Sequence, residues 1–307
     1  MQAHRAQAFT GIWPALLTPL RADLSVDHAR FAAHSQALLA SGCTGITPFG
    51  TTGEGPSFSI AERIQAIDEL VKNGVPAAQI MVSTSCAALP DTLALTRHAV
   101  QLGAHGCLMM PPFFLKGVSD QGVIDSYRYV IDSVDDPNFK LYLYHIPQVS
   151  GVGLSHQVIA TLLRLYPTTI VGIKDSACTT AHSVALADAF MQQLTVYVGY
   201  EPDLPEMGRR GSTGAISGIA NFMPRVVRQL VLQHDAPTTP AQRERILQLL
   251  ALLDSYSLLP ALKGIMAALT GDDAWLRVRA PLVALAPAEF KMIADAVRSV
   301  GIDPQRD

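Results

Sequence analysis

The sequence lacks the long apolar runs and cysteine pairs that mark several common protein classes. No uninterrupted apolar stretch reaches the roughly 18 residues that a membrane-spanning helix needs. The N-terminus contains no apolar segment followed by a small-residue cleavage site of the kind that directs export. The four cysteines lie far apart and form no C-x-x-C pair, which disfavours a zinc site or a redox motif. We therefore expect a cytoplasmic protein with reduced thiols and no membrane partner.

Charged residues are also scarce. They make up 16% of the 307 residues, against 49% hydrophobic residues, and the formal net charge is -3. Because Lys and Arg are scattered rather than clustered, we expect no nucleic-acid partner. A chain this apolar leaves large apolar surfaces for partners to cover. The composition therefore favours an oligomer.

What the sequence does contain is a repeated alternation of short apolar strands and helices. The predicted strands are residues 11–19, 44–49, 79–84, 106–110, 140–145, 169–174, 195–199 and 214–217. The helices that follow them are residues 26–40, 59–72, 90–102, 120–134, 155–165, 180–191, 203–209 and 221–234. Strands buried on both faces and separated by helices indicate a parallel sheet, and eight such units close a (β/α)8 barrel. An open doubly wound sheet is the alternative, but no G-x-G-x-x-G motif follows the first strand.

The strand signals end after the eighth unit. Residues 235–240 (DAPTTP) are typical of a linker, and residues 241–307 show helical periodicity that corresponds to about three helices. We therefore predict a (β/α)8 TIM barrel over residues 1–235 and a C-terminal helical region over residues 236–307.

In such barrels the chemistry lies at the carboxyl ends of the strands, so the polar residues found there are candidates. Lys174 ends the sixth predicted strand. Burial beside apolar neighbours favours the neutral amine, which attacks carbonyls, and this makes Lys174 a candidate Schiff-base nucleophile. Tyr144 ends the neighbouring fifth strand, so its phenol can approach that amine over the barrel mouth. Taken alone, each residue also has a purely structural interpretation. Lys174 could simply reach solvent, and Tyr144 could simply fill the barrel.

The loop after the second predicted strand contains glycines and two adjacent hydroxyls, in the order Gly50-Thr51-Thr52-Gly53-Glu54. Such a loop can bind a carboxylate or a phosphate through its hydroxyl and amide groups, although a tight turn explains it equally well. Glu201 follows the seventh strand and Ser217 ends the eighth, and each of them alone is a weak signal.

Three motifs at these strand ends resemble the dihydrodipicolinate synthase and N-acetylneuraminate lyase superfamily of pyruvate-dependent class I aldolases: GTTGE at 50–54, YHIP at 144–147 and GIKD at 172–175. The resemblance implies that Lys174 forms a Schiff base with a 2-oxo acid, that Tyr144 shuttles protons and that Thr51 and Thr52 bind the substrate carboxylate. It also implies no metal or other cofactor, and a homotetramer. The predicted substrate-binding positions are completed by Gly50, Gly199, Glu201, Ile216, Ser217 and Phe114.

Two positions favour the lyase and 2-keto-3-deoxy sugar acid aldolase branches of this superfamily. Val149 stands where the synthases carry an arginine, and a valine cannot form a bidentate pair with a semialdehyde carboxylate. Phe114 stands where the synthases usually carry a tyrosine, and it cannot pass a proton. Pro202 replaces an acid of the neuraminate lyases, which argues against sialic acid as substrate.

We therefore expect an aldolase that cleaves or condenses pyruvate and an aldehyde, as in a 2-keto-3-deoxy sugar acid. Three alternatives remain open. The first is 4-hydroxy-tetrahydrodipicolinate synthase, which joins pyruvate and aspartate semialdehyde, and the second is a non-catalytic 2-oxo acid sensor. The third is a phosphate- or pyridoxal-binding barrel, because residues 208–218 are glycine-rich near the eighth strand.

Overall fold

Seven parallel strands lie side by side in the computed structural model, which describes residues 10–304 and 306–307. The strands are β1 (Gly11–Pro14), β2 (Met81–Ser83), β3 (Gly106–Met109), β4 (Leu141–His145), β5 (Ile170–Asp175), β6 (Thr195–Val198) and β7 (Gly214–Ser217). Their order is β1-β7-β6-β5-β4-β3-β2, and every neighbouring pair is parallel. The first strand ends at Pro14, five residues earlier than predicted, although the N–H of Ala15 still donates to the carbonyl oxygen of Ser217 at 2.8 Å.

The segment predicted as a strand at 44–49 fills the gap between β1 and β2 without forming a regular strand. Two isolated parallel bridges hold it, Ala15 with Thr47 and Ile46 with Ile80. Pro48 cannot donate a backbone hydrogen bond, and Phe49 has a positive φ of 58°, so the extended conformation stops there. The barrel is thus closed by seven regular strands and one irregular segment, which confirms the predicted (β/α)8 fold.

Helices lie between the strands and after β7. The α-helices of the described residues are α1 (His28–Ala40), α2 (Ile60–Lys72), α3 (Leu89–Gln101), α4 (Asp120–Val134), α5 (Pro147–Ser150), α6 (His156–Leu165), α7 (Thr180–Phe190), α8 (Leu204–Arg209), α9 (Pro224–Leu232), α10 (Thr239–Leu253), α11 (Leu258–Thr270) and α12 (Pro287–Val300). Short 3-10 turns occupy Gly55–Ser57, Ala77–Gln79, Glu201–Asp203, Ile219–Asn221 and Asp273–Leu276. Each of the eight predicted barrel helices has a counterpart whose ends lie within three residues of the predicted ends.

Helix α2 shows how local sequence sets these boundaries. The Ser59 side chain accepts from the N–H of Glu62, and the Glu62 carboxylate accepts from the N–H of Ser59, which is a capping box. The buried face consists of Arg63, Ala66, Ile67 and Leu70, which recur at the spacing of one helical face.

The buried side chains form two clusters, one between the strands and the helices and one inside the barrel. The inner cluster contains Trp13, Ala15, Met81, Leu108, Met110, Tyr142, Tyr144, Ile146, Val171, Tyr197 and Ile216. Alternation along β4 sends Tyr142 and Tyr144 inward, while Leu141 and Leu143 belong to the outer cluster. Tyr144 therefore lies at the upper, carboxyl-terminal end of a filled barrel.

The C-terminal helices α10, α11 and α12 follow the barrel, as the sequence predicts, but the domain division at residue 235 stays a prediction. Helix α11 contacts the barrel loops: a Cβ atom placed on Gly218 would lie 3.8 Å from Leu262. Residues 1–9 of the predicted barrel domain lie outside the described residues. Within the described part of the chain, no single helix has the length and apolarity to span a membrane; α10 and α11 meet that test only as a pair, bent by 120°.

Candidate active site

Lys174 and Tyr144 face each other at the carboxyl ends of two neighbouring strands. The register of β4 and β5 pairs Tyr144 with Lys174 directly. The Nζ atom of Lys174 lies 4.5 Å from the centre of the Tyr144 ring, and the lysine is only 6% exposed. The amine and the phenol ring thus share one nearly closed space at the barrel mouth, as the sequence predicts.

Gly199, just after β6, gives Lys174 the room it needs. A Cβ atom placed on Gly199 would lie 2.9 Å from Cε of Lys174 and 3.3 Å from the carbonyl oxygen of Ile216, and it would overlap Oγ of Ser176. Only a glycine leaves space for all three atoms. The predicted site residue Gly199 therefore shapes the lysine's position through its missing side chain.

Glu201 and Ser217 bind each other beside this pair. The Ser217 hydroxyl donates to Oε1 of Glu201 at 2.5 Å, and the N–H of Ile219 donates to the same oxygen at 3.4 Å. Burial raises the pKa of the Glu201 carboxyl, whereas these hydrogen bonds and the charge of Lys174 oppose that rise. Ser217 is fully buried and follows Ile216, which points into the barrel, so Ser217 supports Glu201 from behind.

The Gly50-Thr51-Thr52 loop reaches the same mouth from the other side. The Thr51 hydroxyl is buried and has no hydrogen-bond partner among the described residues, which leaves it free to bind a substrate. Thr52 lies against the end of β7, since a Cβ atom placed on Gly218 would be 3.4 Å from its hydroxyl oxygen. Gly50 adjoins Ser83 at the end of β2. The role of this loop in binding a substrate carboxylate stays a prediction.

The three remaining apolar positions divide between the site and the surface. Ile216 is buried in the inner cluster with Tyr144. Phe114 is 75% exposed and does not reach the site within one chain, whereas the adjacent Phe113 packs against the inner cluster. Val149 lies on α5 and is 48% exposed. The role of Phe114 in substrate binding therefore stays a prediction, and within one chain the phenylalanine that packs inward is Phe113.

The sequence pattern of the Dihydrodipicolinate synthetase family matches residues 8–299. The chain belongs to the dihydrodipicolinate synthetase family. As a member of this family it is a pyruvate-dependent carbon–carbon lyase of the class I aldolase type. The family assignment confirms the resemblance that the three motifs indicated.

Both sequences and solved structures are similar to this family member over nearly its whole length. An uncharacterized DapA-like lyase from Chloroflexus aurantiacus is 32% identical over 292 residues, which is 94% of this chain and 96% of the relative. The crystal structure of dihydrodipicolinate synthase from Agrobacterium tumefaciens is 32% identical, with a TM-score of 0.89 over 95% of this chain and 99% of that one. A dihydrodipicolinate synthase from Acinetobacter baumannii, solved in complex with pyruvate, is 26% identical, with a TM-score of 0.85 over 96% and 100% of the two chains.

An ion pair that sequence reasoning did not find anchors the GTTGE loop of this family member. Lys263 on α11 is fully buried, forms an ion pair with Glu54 and donates to the carbonyl oxygen of Arg277 at 2.8 Å. Burial lowers the pKa of Lys263, and the Glu54 charge opposes this shift. No local spacing relates positions 54 and 263, so the sequence motifs included Glu54 but gave no signal for its partner.

One group among the described residues has the composition of a metal site: His145, Asp175 and His182. Their ligand atoms lie within 4.8 Å of one another. His145 follows Tyr144 and Asp175 follows Lys174, so both point away from the barrel interior. This group lies behind the candidate active site rather than in it.

Proposed function

We propose that this lyase is a Schiff-base aldolase that cleaves or condenses a 2-oxo acid, with pyruvate and an aldehyde as the two halves, as in a 2-keto-3-deoxy sugar acid. The observation that supports it is the Lys174 amine, nearly buried and 4.5 Å from the Tyr144 ring at the barrel mouth. An amine and a phenol so placed are the two groups that Schiff-base aldol chemistry needs.

In the first stage the substrate carboxylate binds the hydroxyls of Thr51 and Thr52. The Lys174 amine then attacks the keto carbon, and loss of water gives a protonated imine. Tyr144 relays protons to and from the departing oxygen. The positive charge of the imine lies near the buried Glu201, which interacts electrostatically with Lys174.

In the cleavage direction the imine accepts the electrons of the breaking bond. Tyr144, which has given its own proton to the departing water, takes the proton of the C4 hydroxyl. The C3–C4 bond breaks, its electron pair becomes the C2–C3 double bond of an enamine, and the aldehyde leaves. Protonation of C3 and hydrolysis of the resulting imine release pyruvate and restore Lys174. In the condensation direction the same steps run in reverse.

The groups around Gly199 determine which aldehyde fits. The Glu201 carboxylate, positioned by Ser217, can accept hydrogen bonds from the hydroxyls of a sugar-derived aldehyde. Phe113, which packs against the inner cluster, adds an apolar side chain at the barrel mouth. Val149, where the synthases carry an arginine, offers no charge for the carboxylate of aspartate semialdehyde. These residues favour a hydroxylated and uncharged aldehyde.

The synthase reaction is the second candidate, because similar proteins carry that name, including one from Rhizobium meliloti that is 29% identical over 300 residues. A non-catalytic 2-oxo acid sensor is the third. The apolar Phe113 and Val149 favour the aldolase over the synthase, and the Tyr144 phenol favours an enzyme over a sensor.

The direct test is to incubate the protein with pyruvate and borohydride and to weigh it. We expect one covalent adduct on Lys174 and none on Lys174→Ala; an adduct that survives this substitution would refute the mechanism. A panel of 2-keto-3-deoxy sugar acids is then assayed for pyruvate release, beside condensation of pyruvate with aspartate semialdehyde. Product from the semialdehyde alone would identify the synthase, and an adduct without turnover of any member of the panel would identify the sensor.

We further propose that the functional unit is a homotetramer. Several large apolar side chains are mainly exposed on the single chain: Phe114, Leu115, Leu258, Val283 and Met292. Exposed apolar area of this kind favours contact with further copies. Light scattering behind a sizing column measures the assembly, and a monomer at micromolar concentration would contradict the proposal.

A further inference from the structure

Behind Lys174 and Tyr144, the outward-facing residues of the same two strands form a polar cluster. The register pairs His145 with Asp175, one residue beyond the pair of Tyr144 and Lys174. The Asp175 side chain is completely buried. Because a buried carboxylate is costly unless it accepts hydrogen bonds, its partners indicate what it holds in place.

The Asp175 carboxylate connects the strand end with the turn and the helix that follow. Its Oδ1 accepts from the N–H of Ala177 at 3.1 Å. Its Oδ2 accepts from the hydroxyl of Ser183 at 2.7 Å and lies 3.2 Å from Nδ1 of His182. Ala177 lies in the turn after β5, and the other two residues lie in the first turn of α7. One carboxylate therefore fixes three consecutive pieces of chain around the end of β5.

The two histidines complete this support. The His145 ring stacks on the His182 ring, with centroids 4.3 Å apart and planes within 13° of parallel. Nδ1 of His145 accepts from the N–H of Leu154 at 3.0 Å. Burial, followed by the nearby His182, lowers the pKa of His145 to about 4, so the ring is neutral at pH 7. Nδ1 of each histidine is thus engaged within the protein.

These contacts do not suit a metal ion. In a tetrahedral site with metal–ligand bonds of about 2.1 Å, the ligand atoms lie about 3.4 Å from one another, and their lone pairs all point at the metal. Parallel stacked rings aim their nitrogen lone pairs side by side rather than at one point. Binding through Nε2 of His145 would also require a proton on Nδ1, where the Leu154 N–H already donates. The arrangement is that of a structural support.

Asp175, the central residue of this cluster, is the next residue after Lys174, which carries the proposed reacting amine. The N–H of Ser176 donates to the carbonyl oxygen of His145, and the N–H of Gly199 donates to that of Asp175, both at 2.8 Å. Alternation turns Lys174 and Ser176 inward on either side of Asp175, and both contact the space at Gly199. A shift of Asp175 therefore moves the lysine and the wall beside it together.

We infer that Asp175 is a positioning residue of the aldolase site. Its carboxylate, held by Ala177, His182 and Ser183, keeps the Lys174 amine at its attack position beside Tyr144. This inference rests on the proposed function. A displacement of about 1 Å in a reacting group can lower a rate by about 100-fold, whereas in the proposed mechanism the carboxylate of pyruvate binds at Thr51 and not at β5. The rate of imine formation should therefore fall, with little change in pyruvate affinity.

Three variants and one control test the inference. Asp175→Asn keeps the shape of the side chain, but its amide N–H then faces at least one of the three groups that donate hydrogen bonds to Asp175. His182→Asn keeps a donor near the Nδ1 position, and His182→Phe keeps the stacked ring without the donor; His182 is partly exposed, so both should fold. Asp132→Asn is the matched control, because Asp132 on α4 accepts one hydrogen bond from Tyr166 at 2.6 Å, away from the barrel mouth.

The measured quantities are the rate at which borohydride traps pyruvate on Lys174, the pyruvate concentration that gives half the maximal rate, and the melting temperature. We expect Asp175→Asn and His182→Phe to slow trapping by about 10- to 100-fold, and His182→Asn and Asp132→Asn to resemble the wild type. Half-saturation should stay nearly constant throughout.

The outcomes separate the two proposals. If the wild type forms no adduct, the proposed function fails. If the wild type forms a trapped adduct, and Asp175→Asn and His182→Phe form it as fast as the wild type does, the positioning role is refuted while the proposed function stands. A slow His182→Asn beside a normal His182→Phe would assign the effect to ring stacking and overturn the inference. Rates that fall only in proportion to melting temperature would show a purely structural role and overturn it as well.

Discussion

Replacing Gly199 by alanine tests the site through a single added carbon. The φ angle of Gly199 is not in the left-handed region, so alanine causes no backbone strain there. Its Cβ would nevertheless lie 2.9 Å from Cε of Lys174, where ordinary contacts between carbon atoms are about 3.5 to 4.0 Å. The new methyl group also lies 3.3 Å from the carbonyl oxygen of Ile216, and this backbone atom, which belongs to β7, cannot easily move away. The flexible side chains of Lys174 and of Ser176, whose Oγ the methyl group would overlap, must therefore move.

The distances give the size of the effect. Restoring ordinary contact requires Cε of Lys174 to shift by about 0.6 to 1.1 Å, and we expect a similar displacement of Nζ, which is one bond further. A misplacement of about 1 Å can cost roughly 100-fold in rate. Overpacking in a filled region typically destabilises by about 1 to 3 kcal/mol. We therefore expect imine formation to slow by about 100-fold in a protein that remains folded.

Trapping with pyruvate and borohydride, followed by mass spectrometry, measures this rate without knowledge of the aldehyde. Gly122→Ala on α4 is the matched control, since a Cβ atom there meets nothing closer than 3.7 Å. Trapping of Gly199→Ala at the rate of the wild type and of Gly122→Ala would refute the placement of the Lys174 side chain against Gly199.

Three further predictions address the proton relay, the carboxylate site and the response to pH. Tyr144→Phe should leave the borohydride-trapped adduct detectable but slow deuterium exchange into the methyl group of pyruvate, followed by NMR, by about 10²- to 10⁴-fold. Thr51→Val should raise the pyruvate concentration for half-maximal trapping by about 10- to 100-fold, because a hydrogen bond to a charged group contributes about 1.5 to 3 kcal/mol. Burial lowers the pKa of His145 from 6.5 to about 4, so the unfolded chain binds more protons between these values and stability falls as pH drops from about 6.5 to 4. His145→Asn, which keeps an acceptor for the Leu154 N–H, should weaken this dependence in denaturant titrations at pH 7 and pH 5.

The strand and helix positions could be predicted because each repeat buries its strand on both faces and its helix on one. This periodicity is local, and it located seven of the eight strands and every barrel helix. The exception at 44–49 depends on Pro48 and Phe49, which end the extended conformation while the barrel still closes through isolated bridges. Closure is a property of the whole sheet, so the segment keeps its position in the barrel without keeping strand geometry.

The candidate site was predictable where it depends on strand ends and less so where it depends on contacts across the fold. Lys174 and Tyr144 come from neighbouring strands, so barrel topology alone brings them together. The ion pair of Glu54 and Lys263 joins positions that no periodicity relates. The choice between Phe113 and Phe114 depends on how one loop turns, and two adjacent phenylalanines give no local signal of which one faces inward.

Strand alternation explains why an outward-facing residue follows the proposed reacting group in both strand-end motifs. In GIKD and YHIP the proposed reacting groups Lys174 and Tyr144 face the interior, and the next residues, Asp175 and His145, face the helices. A mutation at either outer position leaves the inner surface chemically unchanged but removes contacts to α7 or to the turn after β4. Each motif therefore specifies a reacting group and its support as a unit, because in a β-strand the two necessarily occupy consecutive positions.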